Sequence, residues 1–303
     1  MAATVGVIHN PASGRGRGAK QWPAIEAMLR AALGDRLVAT PATSGRGSAA
    51  AIAAKLVSEG VQVVGAAGGD GTVNEVLQGV LGTGADLAVV PLGTGNDFAR
   101  MLGIGNDHSK AVDAIREGRT VTIDVGRWTQ ASATGHFINA AGCGFDAAVA
   151  EKINSGYRWL GGTSAYVAAV LGTLASYRAV GLTIEVDGEE IAARAMLCAM
   201  ANAQAYGGGM KIAPSASLQD GFLDLVLVEE IGRGEFLKTF PKVFKGTHIE
   251  HPKVTHRQFK RLTIRSTPQG PFLVDGELVA AEPVTVEVVP GAIRVVVPPG
   301  SLP

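Results

Sequence analysis

The sequence predicts an α/β N-terminal domain followed by a β-rich C-terminal domain, and three observations carry that prediction. Up to about residue 125, short apolar runs alternate with helix-like segments, the pattern of a parallel sheet covered by helices. Glycine-bearing turns follow several of those runs, at the strand ends where open α/β sheets bind ligands. Beyond Val121 the runs become successive and strand-like with turn residues between them, which points to a sandwich.

In chain order, Val5–His9, Leu37–Ala39, Val61–Ala67 and Leu87–Val90 read as the strands of the first domain. Lys20–Leu33, Ser48–Ser58, Val73–Leu81 and Ser109–Glu117 read as its helices. The change of period sets the domains at 1–124 and 125–290, with the tail 291–303 assigned back to the first domain as its completion. From Val121 onward the strand-like runs are Val121–Arg127, Phe137–Ala141, Leu182–Val186, Ala195–Ala201, Leu223–Val228, Leu262–Arg265 and Val284–Val289, with Ile293–Val297 in the tail. Helices are expected at Ala147–Ile153, Ser164–Ser176 and Gly234–Phe244.

Composition removes several classes of function. The chain of 303 residues balances 27 basic against 27 acidic side chains, so nothing global supports nucleic-acid binding. Cys143 and Cys198 make no disulfide framework and read as buried thiols in a reducing compartment. The N-terminus enters a strand at once without a basic leader, so no signal peptide is expected. The uncharged stretch between Arg158 and Arg178 holds Gly161, Gly162, Thr163, Ser164 and Tyr166, too polar for a membrane span. The expectation is a cytoplasmic protein that can still touch a membrane surface.

Four segments carry candidate chemistry. Asn10-Pro11-Ala12-Ser13-Gly14-Arg15-Gly16-Arg17-Gly18 follows the first strand; its glycines let backbone approach a phosphate, with a helix N-terminus behind. It lacks the Gly-Lys-Ser/Thr ending of a P-loop, and by itself it reads equally as a flexible surface turn. Gly68-Gly69-Asp70-Gly71-Thr72-Val73-Asn74-Glu75 comes second: Asp70 suits a magnesium ion or a ribose hydroxyl, and Thr72 and Asn74 suit phosphate. A structural reading instead makes Thr72 an N-cap and Glu75 its capping-box partner. In Pro91-Leu92-Gly93-Thr94-Gly95-Asn96-Asp97, Thr94 and the glycines form a second phosphate cradle and Asp97 adds a carboxylate; alternatively Asn96 and Asp97 cap a short helix. Asp275-Gly276-Glu277 offers a general base and a metal-orienting group, or simply a hairpin turn; the similar Asp187-Gly188-Glu189, between two strand candidates, reads as a plain hairpin.

Together, Asn10–Gly14, Gly68–Glu75, Leu92–Ala99, Pro214–Asp224 and Asp275–Glu277 resemble the diacylglycerol kinase catalytic-domain family in its soluble bacterial form, in order and approximate spacing. The resemblance implies a first domain related to those of NAD kinases and phosphofructokinases, a β-sandwich second domain, and an active site in the interdomain cleft. It implies ATP contacts from Asn10, Pro11, Ser13, Gly14, Gly69, Asp70, Gly71, Thr72, Asn74, Glu75 and Thr94. Thr43 matches a nucleotide-contacting threonine, although Ser48 stands where the family has an acidic residue or histidine. Asp275 and Glu277 match a motif in which one carboxylate accepts the proton, and Asp70 and Asp97 join them as catalytic carboxylates. Ser217, Asp220 and Phe222 match a loop that binds structural Mg2+, partly through main-chain carbonyls.

The resulting expectation is transfer of the γ-phosphoryl group of ATP to a lipid hydroxyl, foremost that of diacylglycerol, with Mg2+ as cofactor. Another lipid acceptor (a sphingoid base, ceramide, monoacylglycerol), a soluble acceptor as in NAD kinases, and a non-catalytic nucleotide-binding regulator are the alternatives. The partners expected are a lipid at a membrane surface and, as in relatives, a second copy in a homodimer; nucleic acid is not expected. Lys238, Lys242, Lys245, Lys253, Arg257, Lys260, Arg261 and Arg265 face only Glu250 in sequence, a cluster suited to anionic lipid or to an ordinary solvated face.

Overall fold

The computed structural model describes residues 3–152, 162–279 and 283–301, the side chains of 162–167 excepted. The chain divides into two units, Met1–Val125 with Pro290–Pro303, and Gly126–Val289. The first contains β1 (Val5–His9), α1 (Ser13–Leu33), β2 (Leu37–Ala39), α2 (Ser48–Ser58), β3 (Val63–Gly68), α3 (Asp70–Val80), β4 (Asp86–Pro91), α4 (Asp97–Met101) and α5 (His108–Glu117). The unit boundary falls inside β5 (Thr120–Thr129). The second unit holds β6 (Thr134–Phe137), β7 (Ala140–Gly144), α6 (Phe145–Lys152), α7 (Gly162–Leu174), β8 (Val180–Val186), β9 (Glu189–Ala201) and β10 (Leu223–Glu229). There follow α8 (Arg233–Thr239), a 3₁₀ segment Phe240–Phe244, β11 (Val254–Phe259), β12 (Arg261–Thr267), β13 (Phe272–Val274) and β14 (Glu277–Val279). In β15 (Val284–Val296) the chain returns to the first unit.

In the first unit β2, β1, β3 and β4 lie side by side, all parallel, and Val295 of β15 joins the β4 edge at Leu87. Every residue of β3 is buried, as a parallel strand covered on both faces requires. Two helices differ from expectation. α3 starts at Asp70, because Gly69 is its N-cap; Thr72 therefore sits inside the first turn and the Thr72–Glu75 capping box does not form. α1 starts at Ser13 but is broken by left-handed residues Gly14, Arg15 and Gly16.

The second unit is built on antiparallel strands. β9 pairs with β7, β8 and β10; β10 pairs with β11; β12 pairs with β8 and with the first part of β15; β13 pairs with β7 and β14. Alternation sorts their side chains: Leu223, Leu225 and Leu227 of β10 enter a core with Phe137, Phe259 and Phe272, whereas Val226 faces a second cluster with Ala199, Ala201 and Ile212. Cys143 and Cys198 are buried free thiols, opposite each other in the β7–β9 register. The expected strand Phe137–Ala141 is interrupted at Ile138 and Asn139, whose peptide N–H groups turn to a carboxylate described below. The runs Val284–Val289 and Ile293–Val297 merge into the single strand β15. α6 and α7 occupy the expected helical regions; Ile153 of the first expectation, Arg158 and Gly161 of the uncharged stretch, and residues 302–303 of the tail lie outside the described residues.

Candidate active site

In the first unit three loops at strand C-termini close on one another. Asn10 organises the first: its side-chain oxygen accepts the Ala12 N–H (3.0 Å), its main-chain oxygen accepts the Ser13 hydroxyl (2.6 Å), and its amide donates to Thr72 Oγ1 (2.9 Å). Thr72 is thus a bridge between two loops. The Gly68–Gly71 and Gly93–Gly95 turns then pack backbone on backbone. A Cβ at Gly69 would stand 3.1 Å from the Cα of Gly93, and one at Gly93 would stand 2.5 Å from the Cα of Gly69. A Cβ at Gly14 would stand 2.7 Å from the Leu92 carbonyl oxygen. Only glycine permits these approaches.

That contact brings two carboxylates to one place. A Cβ at Gly95 would stand 3.0 Å from Asp70 Oδ2 and 3.5 Å from Asp97 Oδ2. Asp70 Oδ1 accepts the Phe98 N–H (3.0 Å), which ties α3 to α4. Asp97 is buried and takes Arg100 Nη2 at 2.9 Å. Burial pushes the Asp70 carboxyl above its ordinary range, the Phe98 N–H opposes this, and the neighbouring charge of Asp97 adds to the rise. Two hard carboxylates that crowd each other suit a divalent cation such as Mg2+.

Other residues of these loops take different places. Both oxygens of Glu75 serve the N-terminus of α2, accepting the N–H of Gly47 (2.8 Å) and of Ala49 (3.1 Å). Asn96, in a left-handed conformation, does not cap α4 with its side chain; its Oδ1 accepts the Gly93 N–H (2.9 Å) and holds the second turn shut. Asn74 accepts the Gln78 amide (3.3 Å), Thr94 is exposed at the turn tip, and Thr43 donates its N–H to the His9 carbonyl (2.9 Å). Ser48 folds its hydroxyl onto the Gly45 carbonyl (2.6 Å). Pro11 lies in the first loop, whereas Ser13 is the first residue of α1 and Gly71 the second residue of α3.

In the second unit Asp275 and Gly276 form a two-residue hairpin turn between β13 and β14, both with positive φ. The Asp275 carboxylate accepts three peptide N–H groups, from Ile138 (2.9 Å), Asn139 (2.9 Å) and Ala140 (3.1 Å). Asp187 does the same on a smaller scale, accepting the N–H groups of Lys260 (3.2 Å) and Arg261 (2.9 Å) from an equivalent turn between β8 and β9. Glu189 pairs with Arg257 (2.7 Å), and Glu277 is the exposed first residue of β14. The two carboxylates of the Asp-Gly-Glu motif therefore differ: Asp275 accepts three peptide donors and is partly buried, and Glu277 is exposed.

The expected magnesium loop uses its side-chain oxygens on its own backbone and on Gln258 of β11. Ser217 Oγ accepts the Gln219 N–H (3.3 Å), and Asp220 accepts the Phe222 N–H (3.0 Å) and the Gln258 amide (2.7 Å). Phe222 has only its main-chain carbonyl to offer, so a cation here would depend on carbonyls together with the remaining lone pairs of Asp220. Among the described residues no three His, Cys, Asp or Glu side chains gather at a metal-binding spacing.

An apolar cavity in the same unit is lined by Phe145, Val149, Met210, Phe236, Phe240 and Val243, among others. Its polar lining includes Thr239, His248 and Asp146, the last of which accepts the Tyr206 hydroxyl (3.0 Å). Burial pushes the Asp146 carboxyl up to about 6. Neither Arg100 nor the Asp146–Tyr206 pair was expected from sequence. The available signals were the i, i+3 spacing of Asp97 and Arg100, and a lone acid in the apolar run Ala140–Ala150.

Comparisons with known proteins agree with this architecture. Residues 4–128 match the diacylglycerol kinase catalytic domain, and residues 139–297 match the YegS C-terminal NAD kinase beta sandwich-like domain. The chain is 35% identical to a diacylglycerol kinase of Mycobacterium tuberculosis (strain CDC 1551 / Oshkosh) over 81% of its own length and 80% of that protein. It is 33% identical to a diacylglycerol kinase of Staphylococcus aureus (strain bovine RF122 / ET3-1) over 89% of its length and 85% of that protein. A crystal structure of a diacylglycerol kinase from Bacillus anthracis str. Sterne superposes with a TM-score of 0.78 at 25% identity, covering 99% of this chain and 98% of that one. Fold and loops thus define a two-unit phosphotransferase. The chain belongs to the diacylglycerol kinase catalytic-domain family, and as a kinase it takes ATP as its phosphoryl donor. Among the described residues no helix is long and apolar enough to cross a membrane.

Proposed function

We propose that the protein is a lipid kinase that transfers the γ-phosphoryl group of ATP to the hydroxyl of diacylglycerol, giving phosphatidic acid. The observation that carries this reading is the glycine-on-glycine contact of Gly69 with Gly93, which sets Asp70 and Asp97 side by side. The loops of Asn10, Gly69 and Gly93 would cradle the ATP phosphates with backbone N–H groups, as phosphoryl transfer depends on positioning and electrostatics. Asp70 and Asp97 would hold Mg2+, which when bound offsets the charge of the phosphates.

Glu277 would take the proton of the acceptor hydroxyl, since the Asp275 oxygens are committed to three peptide donors. The apolar lining beside Phe145, Phe236 and Phe240, around a cavity of about 90 Å³, suits a short aliphatic portion of an acceptor, with the Asp146–Tyr206 pair as a polar group beside it. That lining favours an aliphatic group over a polar one. The test is a panel of acceptors assayed with ATP and magnesium: diacylglycerol, monoacylglycerol, ceramide, a sphingoid base and NAD. Diacylglycerol should give the highest kcat/KM; a preference for NAD overturns the lipid reading, and a preference for ceramide or a sphingoid base corrects the acceptor.

A further inference from the structure

The segment from Arg233 to Lys245, α8 followed by its 3₁₀ extension, has three distinct stripes. Phe236, Thr239, Phe240 and Val243 point inward and line the apolar cavity. Leu237, Pro241 and Phe244, at spacings of one helical turn, are exposed. Lys238, Lys242 and Lys245 form the next stripe and are exposed as well. Leu237 and Phe244 are 49% and 48% accessible, two of the four exposed large hydrophobic residues among those described.

The charge on this face is unbalanced. Among the described residues Arg233, Lys238, Lys242 and Lys245 have no carboxylate within 4.0 Å, and Glu235, the one acid of the segment, pairs with His251 (3.2 Å). Of the remaining basic residues of the sequence cluster, Arg265 is exposed on β12, away from this segment in sequence, and the other four are used elsewhere. Arg257 pairs with Glu189, Arg261 lies 3.6 Å from Glu287, Lys253 donates to the Glu230 carbonyl, and Lys260 covers the Phe222 ring. A stripe of apolar side chains beside a stripe of uncompensated lysines fits the boundary between lipid headgroups and acyl chains.

We propose that the outer face of this segment, Leu237, Lys238, Pro241, Lys242, Phe244 and Lys245, docks the protein on an anionic lipid bilayer, an inference that rests on the lipid kinase reading above. The same segment that closes the apolar cavity from outside then lies at the bilayer, which gives a lipid acceptor a short path from membrane to cavity. The lysines supply attraction that falls with salt, and Leu237 and Phe244 supply a part that persists in salt.

The test is sedimentation with phosphatidylcholine vesicles, with and without added phosphatidylglycerol. Binding should require the anionic lipid and weaken with salt. The combined variant Lys238→Glu, Lys242→Glu, Lys245→Glu should lower partitioning on the order of 100-fold, and the glutamine equivalents by less. Leu237→Ser with Phe244→Ser should remove the salt-resistant part. Arg257→Glu with Arg261→Glu, on paired residues of the same unit, should leave partitioning nearly unchanged. The proposal is overturned if the lysine variant binds as the parent does, if the paired-arginine variant loses as much, or if the lysine variant changes only the oligomeric state. Transfer to a short-chain diacylglycerol dissolved as monomers reports on the kinase reading separately. If it is absent while vesicle binding still depends on this face, docking stands and the lipid kinase assignment fails.

Discussion

Gly93 stands against Gly69 so closely that a single methyl group at Gly93 would lie 2.5 Å from the Cα of Gly69 and 2.7 Å from Asn96 Oδ1. Backbone meets backbone here, so neither side can yield by a rotamer change. Gly93→Ala should cost about 1–3 kcal/mol and weaken ATP binding together with stability. Gly270→Ala, where the nearest neighbour of a new Cβ is 3.9 Å away, should be close to neutral. Thermal melts with and without ATP check both; a Gly93→Ala variant as stable as the parent would show that the turns can part freely.

Asp70→Asn keeps an oxygen to accept the Phe98 N–H but removes the negative charge beside Asp97. The fold should survive, and turnover should fall by at least about 100-fold, the scale of losing a key electrostatic element. Steady-state rates at saturating ATP and magnesium decide it, and near-normal turnover removes Asp70 from the reaction.

Asp275 and Glu277 should separate by readout. Asp275→Ala leaves three peptide N–H groups without their acceptor and should lower stability by about 2–4 kcal/mol. Glu277→Gln should melt as the parent does and still bind ATP, yet transfer should nearly vanish. Full activity of Glu277→Gln places the base elsewhere and leaves the motif as a hairpin turn.

Asp146 sets a pH dependence of stability. Its carboxyl is raised from 3.8 to about 6 by burial, so the folded state holds that proton more tightly than the unfolded chain does. The resulting stabilisation is complete below the unfolded value and is lost as pH rises through about 6, a difference of about 3 kcal/mol. Asp146→Asn lacks the titration, so its stability relative to the parent should climb across that window. Urea unfolding at a series of pH values measures it, and a difference that stays flat would show that the carboxyl is already solvated.

The fold class and the main strands were legible because periodicity and glycine turns are local signals. β1 and β2 have the expected bounds, and β3 and β4 differ only at their ends. What escaped depends on partners distant in sequence. The strand expected at Phe137–Ala141 breaks because Asp275, far along the chain, claims the N–H groups at the break. Glu75 looked like half of a capping box with Thr72, but α2 packs against α3 and offers it two unsatisfied N–H groups. The crowding of Asp70 and Asp97 at Gly95 follows from two turns packed together, which neither turn announces alone.

The division of the first unit between residues 1–125 and 290–303 has a consequence for biosynthesis. Val295 covers the β4 edge at Leu87, Arg294 binds Asp86 (2.6 Å), and the Gly291 N–H caps the Asp124 carboxylate (2.7 Å). On the ribosome, the parallel sheet emerges before the β-rich unit but waits for Val295 at its edge until that whole unit has been translated. The nascent chain therefore carries an open, apolar β4 edge through most of its synthesis, and a fragment ending near residue 125 would keep that edge permanently, ready to pair with another copy.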